Sequence, residues 1–177
     1  MAWEFDVLHA LQTIHNPVLD ALFSGITHLG DGGVFWILLT AGILIFVKDK
    51  RVAATAILAL LLDVLLCNLL LKPLVARDRP FWLDESVQLI VKAPKDYSFP
   101  SGHSAASFAA SISYVQYNRK WGIAAILLAA CIAFSRLYLF VHFPTDVLAG
   151  ICIGCTCGVV SGMIVRRCFM KWEQKNG

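Results

Sequence analysis

The sequence predicts an all-α integral membrane helical bundle, and three observations carry that expectation. The chain of 177 residues is 58% hydrophobic and only 15% charged, too apolar for a soluble domain with a single core. Its apolar residues gather into runs near the roughly 20 residues that a helix needs to cross a bilayer. Its basic residues stand at the ends of those runs. We read residues 1–177 as one membrane domain.

Residues 3–14 place Trp3, Val7, Leu8, Leu11 and Ile14 at helical spacing, with Glu4, Asp6 and Gln12 elsewhere. This predicts an N-terminal amphipathic surface helix over 1–16, ended by Asn16 and Pro17. "VLDALFSGITHL" follows, too short to cross unaided, and the turn "GDGG" separates it from "GVFWILLTAGILIFV". Residues 52–71 form the strongest span. Beyond a polar loop at 72–101, three more spans are expected near 102–117, 121–141 and 145–165, which gives six membrane helices, the first short. No Lys or Arg precedes Lys48, so a cleavable leader is not expected and the spans are retained.

Orientation follows from "KDKR" at 48–51, "NRK" at 118–120 and the basic tail at 166–177, which share one side when six spans alternate. That side reads as cytoplasmic and holds both termini. The loop 72–101 and the link 142–144 then share the extracytoplasmic face of a cell membrane.

Several classes are disfavoured. A net charge of +3 without a basic, aromatic-interleaved stripe does not suit nucleic acid. The six cysteines, Cys67, Cys131, Cys152, Cys155, Cys157 and Cys168, lie in or beside apolar runs and read as small packing residues. "CIGCTC" lacks a nearby His or carboxylate, so neither a metal nor another cofactor is expected.

The unusual residues collect at the outer face. Lys72 and Arg79 lie in "LKPLVARDRPF", His103 in "FPSGHS", and Arg136, His142 and Asp146 in "SRLYLFVHFPTD". Singly, each fits a snorkelling cation or a polar helix end. Together they describe a site. Ser101 suits an N-cap behind Pro100, and Gly102, His103 and Ser104 then offer first-turn N–H groups to an anion such as phosphate. His103 can give a proton to an oxygen on that anion. Pro144 suits a first helical position, so Asp146 falls in the first turn and can accept from His142. A carboxylate on one ring nitrogen leaves the other free to attack phosphorus. Lys72, Arg79 and Arg136 supply charge for the phosphate and its transition state without a metal ion.

The three blocks, Lys with six residues then Arg-Pro, "PSGH" intact, and Ser-Arg, five residues, His, three residues, Asp, resemble the type 2 phosphatidic acid phosphatase (PAP2) superfamily of membrane lipid phosphatases. The resemblance covers Lys72 to Asp146. It implies a metal-independent phosphatase with a phosphohistidine intermediate: His142 as nucleophile, Asp146 as its partner, His103 as acid. Lys72, Arg79, Ser101, Gly102 and Arg136 carry over as phosphate-binding residues. Small size and the outer site resemble bacterial undecaprenyl diphosphate phosphatases, with phosphatidylglycerophosphate or phosphatidic acid as the alternative substrates. A vanadate-dependent haloperoxidase with a similar anion pocket, and a lipid transporter or scaffold of the same fold, are the competing classes. The partners implied are the bilayer and a lipid phosphate.

Two residues stand outside these motifs. Asp63 lies mid-span, roughly 13 Å from Lys72 at helical rise, too far for direct catalysis, and reads as a structural hydrogen bond or an oligomer contact. Asn68, one turn before Lys72, could hold that ammonium or pack against another helix.

Overall fold

The structure is a computed structural model that describes residues 2–176, with helices and no strand among the described residues. Helix α1 is Ala2–Gln12 and α2 is Pro17–His28, the latter capped by the Asn16 side chain, which accepts from the amides of Val18 and Leu19. A tight turn at Asp31–Gly33, in which Gly32 and Gly33 take positive φ, redirects the chain into α3 (Val34–Phe46). Helix α4 (Lys50–Asp63) runs on through a π-helical stretch, Val64–Leu71, into the short α5 (Lys72–Val75). A short α6 (Pro80–Leu83) and an irregular loop lead to α7 (Gly102–Val115), α8 (Arg119–Tyr138) and α9 (Pro144–Asn176).

Helix α7 is the hub, packed by α4, α8 and α9. The reason is in the side chains. On α9, Gly150, Gly154, Gly158 and Gly162 recur every fourth residue and form one stripe. A Cβ on Gly154 would meet the Ala109 amide at 2.9 Å and Phe108 Cβ at 3.0 Å, and one on Gly158 would meet Ile112 at 2.8 Å. Between membrane helices lipid supplies no hydrophobic drive, so close backbone approach of this kind supplies the packing. Hydroxyl bonds add to it: Trp36 donates to Ser107 at 2.9 Å, and Thr40 meets the Tyr114 hydroxyl at 2.7 Å, tying α3 to α7. Large apolar side chains such as Leu38, Ile45, Phe46, Leu61 and Leu127 point outward, as a lipid-facing surface requires.

Six separate spans are not found. Three helical stretches are long and apolar enough to cross: Lys50–Leu83, Arg119–Tyr138 and Pro144–Asn176. The pair Pro17–His28 and Asp31–Phe46 reaches that length only together, bent by 43°. At 12 residues α2 is about 18 Å long, short of a roughly 30 Å hydrocarbon core. Its start is tied to the C-terminal end of α8, where His15 meets the Tyr138 carbonyl at 3.0 Å and Asp20 accepts from the Tyr138 hydroxyl at 2.6 Å.

Helix α1 and the last turns of α9 stand at opposite ends of the bundle. Helix α1 sits at the end of the bundle that carries Arg77 and Thr145, both bonded to Glu4. The last part of α9 leaves at the other end, beyond Gly162 and Gln116. Nor is α1 purely a surface helix. Its Leu8 is buried with Phe140 and Phe143 and its Glu4 is buried with the polar network, while Trp3 and Val7 face outward.

Candidate active site

Three helix ends and one loop converge on a cavity of about 750 Å³ at the end of the bundle that holds α1. Six of the eight residues expected from sequence line it: Lys72, Arg79, Gly102, His103, Arg136 and His142. Ser101 and Asp146 stand behind the wall, both fully buried. Ser101 caps α7 as its position predicts, accepting from the Ser104 amide at 3.4 Å, and its own amide donates to the Asp146 carbonyl at 3.0 Å. The α7 start and the α9 start are thereby locked together.

His142 is 1% exposed, in the link between α8 and α9. Its Nε2 is 3.3 Å from Arg79 Nη1, and its Nδ1 faces Ser98 Oγ at 3.5 Å and Asp146 Oδ2 at 3.6 Å. A guanidinium only donates, so Nε2 presents its lone pair and Nδ1 carries the hydrogen of the neutral ring. The tautomer is the one a nucleophile at Nε2 needs. Burial, then the charges of Arg79, Arg136, Lys72 and His103, hold the His142 pKa well below its ordinary value.

The direct hydrogen bond expected from His142 to Asp146 is not made. At 3.6 Å the contact is too long, because the Asp146 carboxylate is already occupied. Its Oδ2 accepts from the Ser98 hydroxyl and, at 2.8 Å, from the Phe143 amide; its Oδ1 accepts from Arg77 Nη1 at 2.5 Å. Arg77 also donates to Glu4 Oε2 at 2.7 Å, and Glu4 Oε1 accepts from the Thr145 hydroxyl at 2.6 Å. Asp146 is thus held by Arg77, Ser98 and the Phe143 amide, with Glu4 of α1 behind Arg77.

The cations are similarly arranged. Arg79, with its side chain 2% exposed, donates to the carbonyls of Asp96 and Val141, both at 2.7 Å, and to Asp96 Oδ1 at 2.7 Å. Lys72 Nζ reaches Asp96 Oδ2 at 2.5 Å. For Asp96 itself, burial would raise the pKa, but the hydrogen bonds and charges of Lys72 and Arg79 outweigh it and lower the group to about 2. Arg136 donates to Thr27 Oγ1 at 2.6 Å and leaves its Nε buried without a partner among the described residues. A buried, half-satisfied guanidinium on a cavity wall is a place for an anion. His103 Nε2 is 2.9 Å from Asp31 Oδ1.

Five residues of this network, Glu4, Asp31, Arg77, Asp96 and Ser98, were not singled out in the sequence. Arg77 and Asp96 lie in the polar loop and Ser98 lies two residues from "PSGH", so proximity to the motifs was a usable signal. Glu4 read as the polar face of a surface helix, and nothing local distinguished it.

A helical bundle with a polar, cation-rich cavity opening at one end of its spans defines a membrane protein built to hold an anionic group. The chain belongs to the PAP2 superfamily, whose family model matches residues 52–170. It is 32% identical to the undecaprenyl-diphosphatase of Sulfolobus acidocaldarius, over 67% of this chain and 58% of that protein. The chain thus spans under two thirds of that relative's length. It is 33% identical to the lipid A 4'-phosphatase of Bacteroides thetaiotaomicron, over 80% of this chain and 67% of that one. Among solved structures, the transmembrane PAP2-type phosphatidylglycerolphosphate phosphatase of Bacillus subtilis superposes with a TM-score of 0.78 at 27% identity, covering 94% of this chain and 86% of its own.

Proposed function

We propose that the protein is a membrane lipid phosphatase that hydrolyses a lipid phosphate or diphosphate through a phosphohistidine on His142, with no metal ion. One observation carries the reading. The buried His142 turns its Nε2 lone pair toward a cavity ringed by Lys72, Arg79 and Arg136.

Lys72, Arg79 and Arg136 hold the phosphate oxygens, with the α7 first turn at Gly102 beside them. His142 Nε2 attacks phosphorus, a P–N bond forms, and the P–O bond to the leaving group breaks. His103, steadied by Asp31, gives that oxygen its proton. As Nε2 becomes bonded the ring gains positive charge, which Asp146 stabilises, by way of Ser98 or after a small approach. His103 then takes a proton from water, which attacks phosphorus, breaks the P–N bond and frees inorganic phosphate. Ser101 acts behind the wall as the cap that fixes the α7 amides.

The basic stretches 48–51, 118–120 and 166–175 lie at the end of the bundle far from the cavity, which by the positive-inside rule supports an extracytoplasmic site. With α1 at the cavity end of the bundle and the end of α9 at the other, the first helix lies outside and the end of α9 inside. The undecaprenyl-diphosphatase relative favours undecaprenyl diphosphate as a substrate; the lipid A and phosphatidylglycerolphosphate relatives favour phosphates borne on a sugar or glycerol.

The test is phosphate release by purified protein in detergent with EDTA, from undecaprenyl diphosphate, phosphatidylglycerolphosphate, phosphatidic acid and lipid A, alongside His142→Ala. Release from at least one lipid, lost in the variant, is expected. Release from none, or unchanged release in His142→Ala, contradicts the reading.

A further inference from the structure

We propose that Asn68 and Asp63 form a second polar subsite on the cavity wall below the phosphate position, which takes hydroxyl, ester or amide groups of the substrate. The substrate is then a lipid phosphate carried on a glycerol or sugar unit. This deepens the phosphatase reading above and rests on it.

Both residues line the same cavity as Lys72, yet neither has a role in holding phosphate. Asp63 is 1% exposed and its Oδ1 is buried with no hydrogen-bond partner among the described residues. The structural hydrogen bond expected of it from sequence is not made to that oxygen. An unpaired polar atom inside a span is costly, and one on a cavity wall is satisfied when a ligand supplies the partner.

Helix geometry sets the two side by side. In an α-helix, residues five apart diverge by about 140°. The stretch Val64–Leu71 is π-helical, and its i→i+5 bonding brings residues five apart nearly into register. Asp63 and Asn68 therefore share a stripe, and Asn68 lies four residues before Lys72. Gly102, at the start of α7, packs against the amide, since a Cβ there would stand 3.1 Å from Asn68 Oδ1.

Measured along the helix from Lys72, Asn68 lies roughly 6 Å away and Asp63 roughly 13 Å away at α-helical rise, somewhat less through the π turn. A prenyl chain has no hydrogen-bonding atom at either depth beyond its phosphates. Glycerol hydroxyls and esters, or sugar hydroxyls and amides, fall in that range. Ile37, Leu60 and Val64 continue the wall with apolar surface suited to the chains that follow.

The test compares kcat/KM for phosphatidylglycerolphosphate with that for undecaprenyl diphosphate, in mixed micelles of one detergent. The wild type favours the glycerol lipid. Asn68→Leu and Asp63→Leu each lower that ratio about tenfold, chiefly through KM. Asp63→Ala serves where the leucine variant does not fold, and Asn68→Leu, on the open wall, reports independently. A wild-type preference for undecaprenyl diphosphate, or a ratio within about twofold of wild type in the variants, overturns the subsite while leaving the phosphatase reading standing. Release from neither of these lipids, nor from phosphatidic acid or lipid A, overturns both.

Discussion

Ser98 and Asp146 are joined by a short hydrogen bond from hydroxyl to Oδ2, and the same hydroxyl lies 3.5 Å from His142 Nδ1. The serine therefore stands at the junction between His142 and the carboxylate proposed to stabilise its charge. Asp146→Asn removes the charge and is expected to lower kcat by roughly a thousandfold or more. Ser98→Ala leaves the charge in place and lets the carboxylate close on Nδ1, so a loss of about tenfold is expected. Steady-state kinetics on both variants decide this. Equal losses would make the serine an obligatory link instead.

The low His142 pKa gives a prediction with a definite sign. The group's ordinary value is 6.5, and burial with four neighbouring cationic or ionisable side chains moves it down. The folded ring then takes a proton only in more acidic solution, while the unfolded chain takes one near 6.5. Folding stability is therefore full above 6.5 and falls as pH drops below it. Titration by NMR of histidine-labelled protein, with His142→Gln to assign the signal, should find a neutral ring with hydrogen on Nδ1 at pH 6.5. A ring half protonated at 6.5 or above contradicts the site's electrostatics.

Asp96 occupies the two cations that a phosphate needs, at 2.5 Å from Lys72 and 2.7 Å from Arg79. Arg79 keeps its carbonyl partners at Asp96 and Val141 without that carboxylate, so its position survives the loss. Asp96→Asn should tighten inhibition by inorganic phosphate by roughly fivefold, about 1 kcal/mol. Weaker inhibition would mean that the carboxylate orients the cations more than it competes for them. Its lowered pKa acts in the same frame: Asp96 supports the fold above pH 3.8 and ceases to as pH falls through about 2.

Much of the architecture was legible in the sequence because its signals are local. Hydrophobic runs located the passes of α3, α4, α8 and α9, and Ser101 and Pro144 marked helix starts by chemistry that needs no partner. The short first span departs from that pattern for a physical reason. "VLDALFSGITHL" is apolar like a span, and only its contacts with Tyr138 place its start at the cavity end. Asp31, Asp96 and Glu4 escaped notice because a carboxylate's role depends on which cation or histidine the fold delivers to it. Asp63 was visible as an oddity, but its orphaned oxygen and the π-helical register were not.

Glu4 shows how far that delivery reaches. It is 4% exposed and joins α1 to Arg77 and Thr145 beside the Asp146 carboxylate. Glu4→Gln should destabilise the protein by about 2 kcal/mol, the order of a charged hydrogen bond, and lower kcat more than it changes KM. Thermal unfolding in detergent and kinetics on the same sample check both. Full stability and activity would mean that α1 is dispensable to the site.

The central claim is a covalent phosphate on His142, and the direct measurement is its capture. Wild-type protein is mixed with a turned-over lipid phosphate labelled on phosphorus, quenched in alkali to preserve phosphohistidine, digested and mapped by mass spectrometry. The account predicts label on the peptide holding His142, at its Nε2, with none in His142→Ala. Turnover with label on another residue, or in a variant lacking His142, would contradict it.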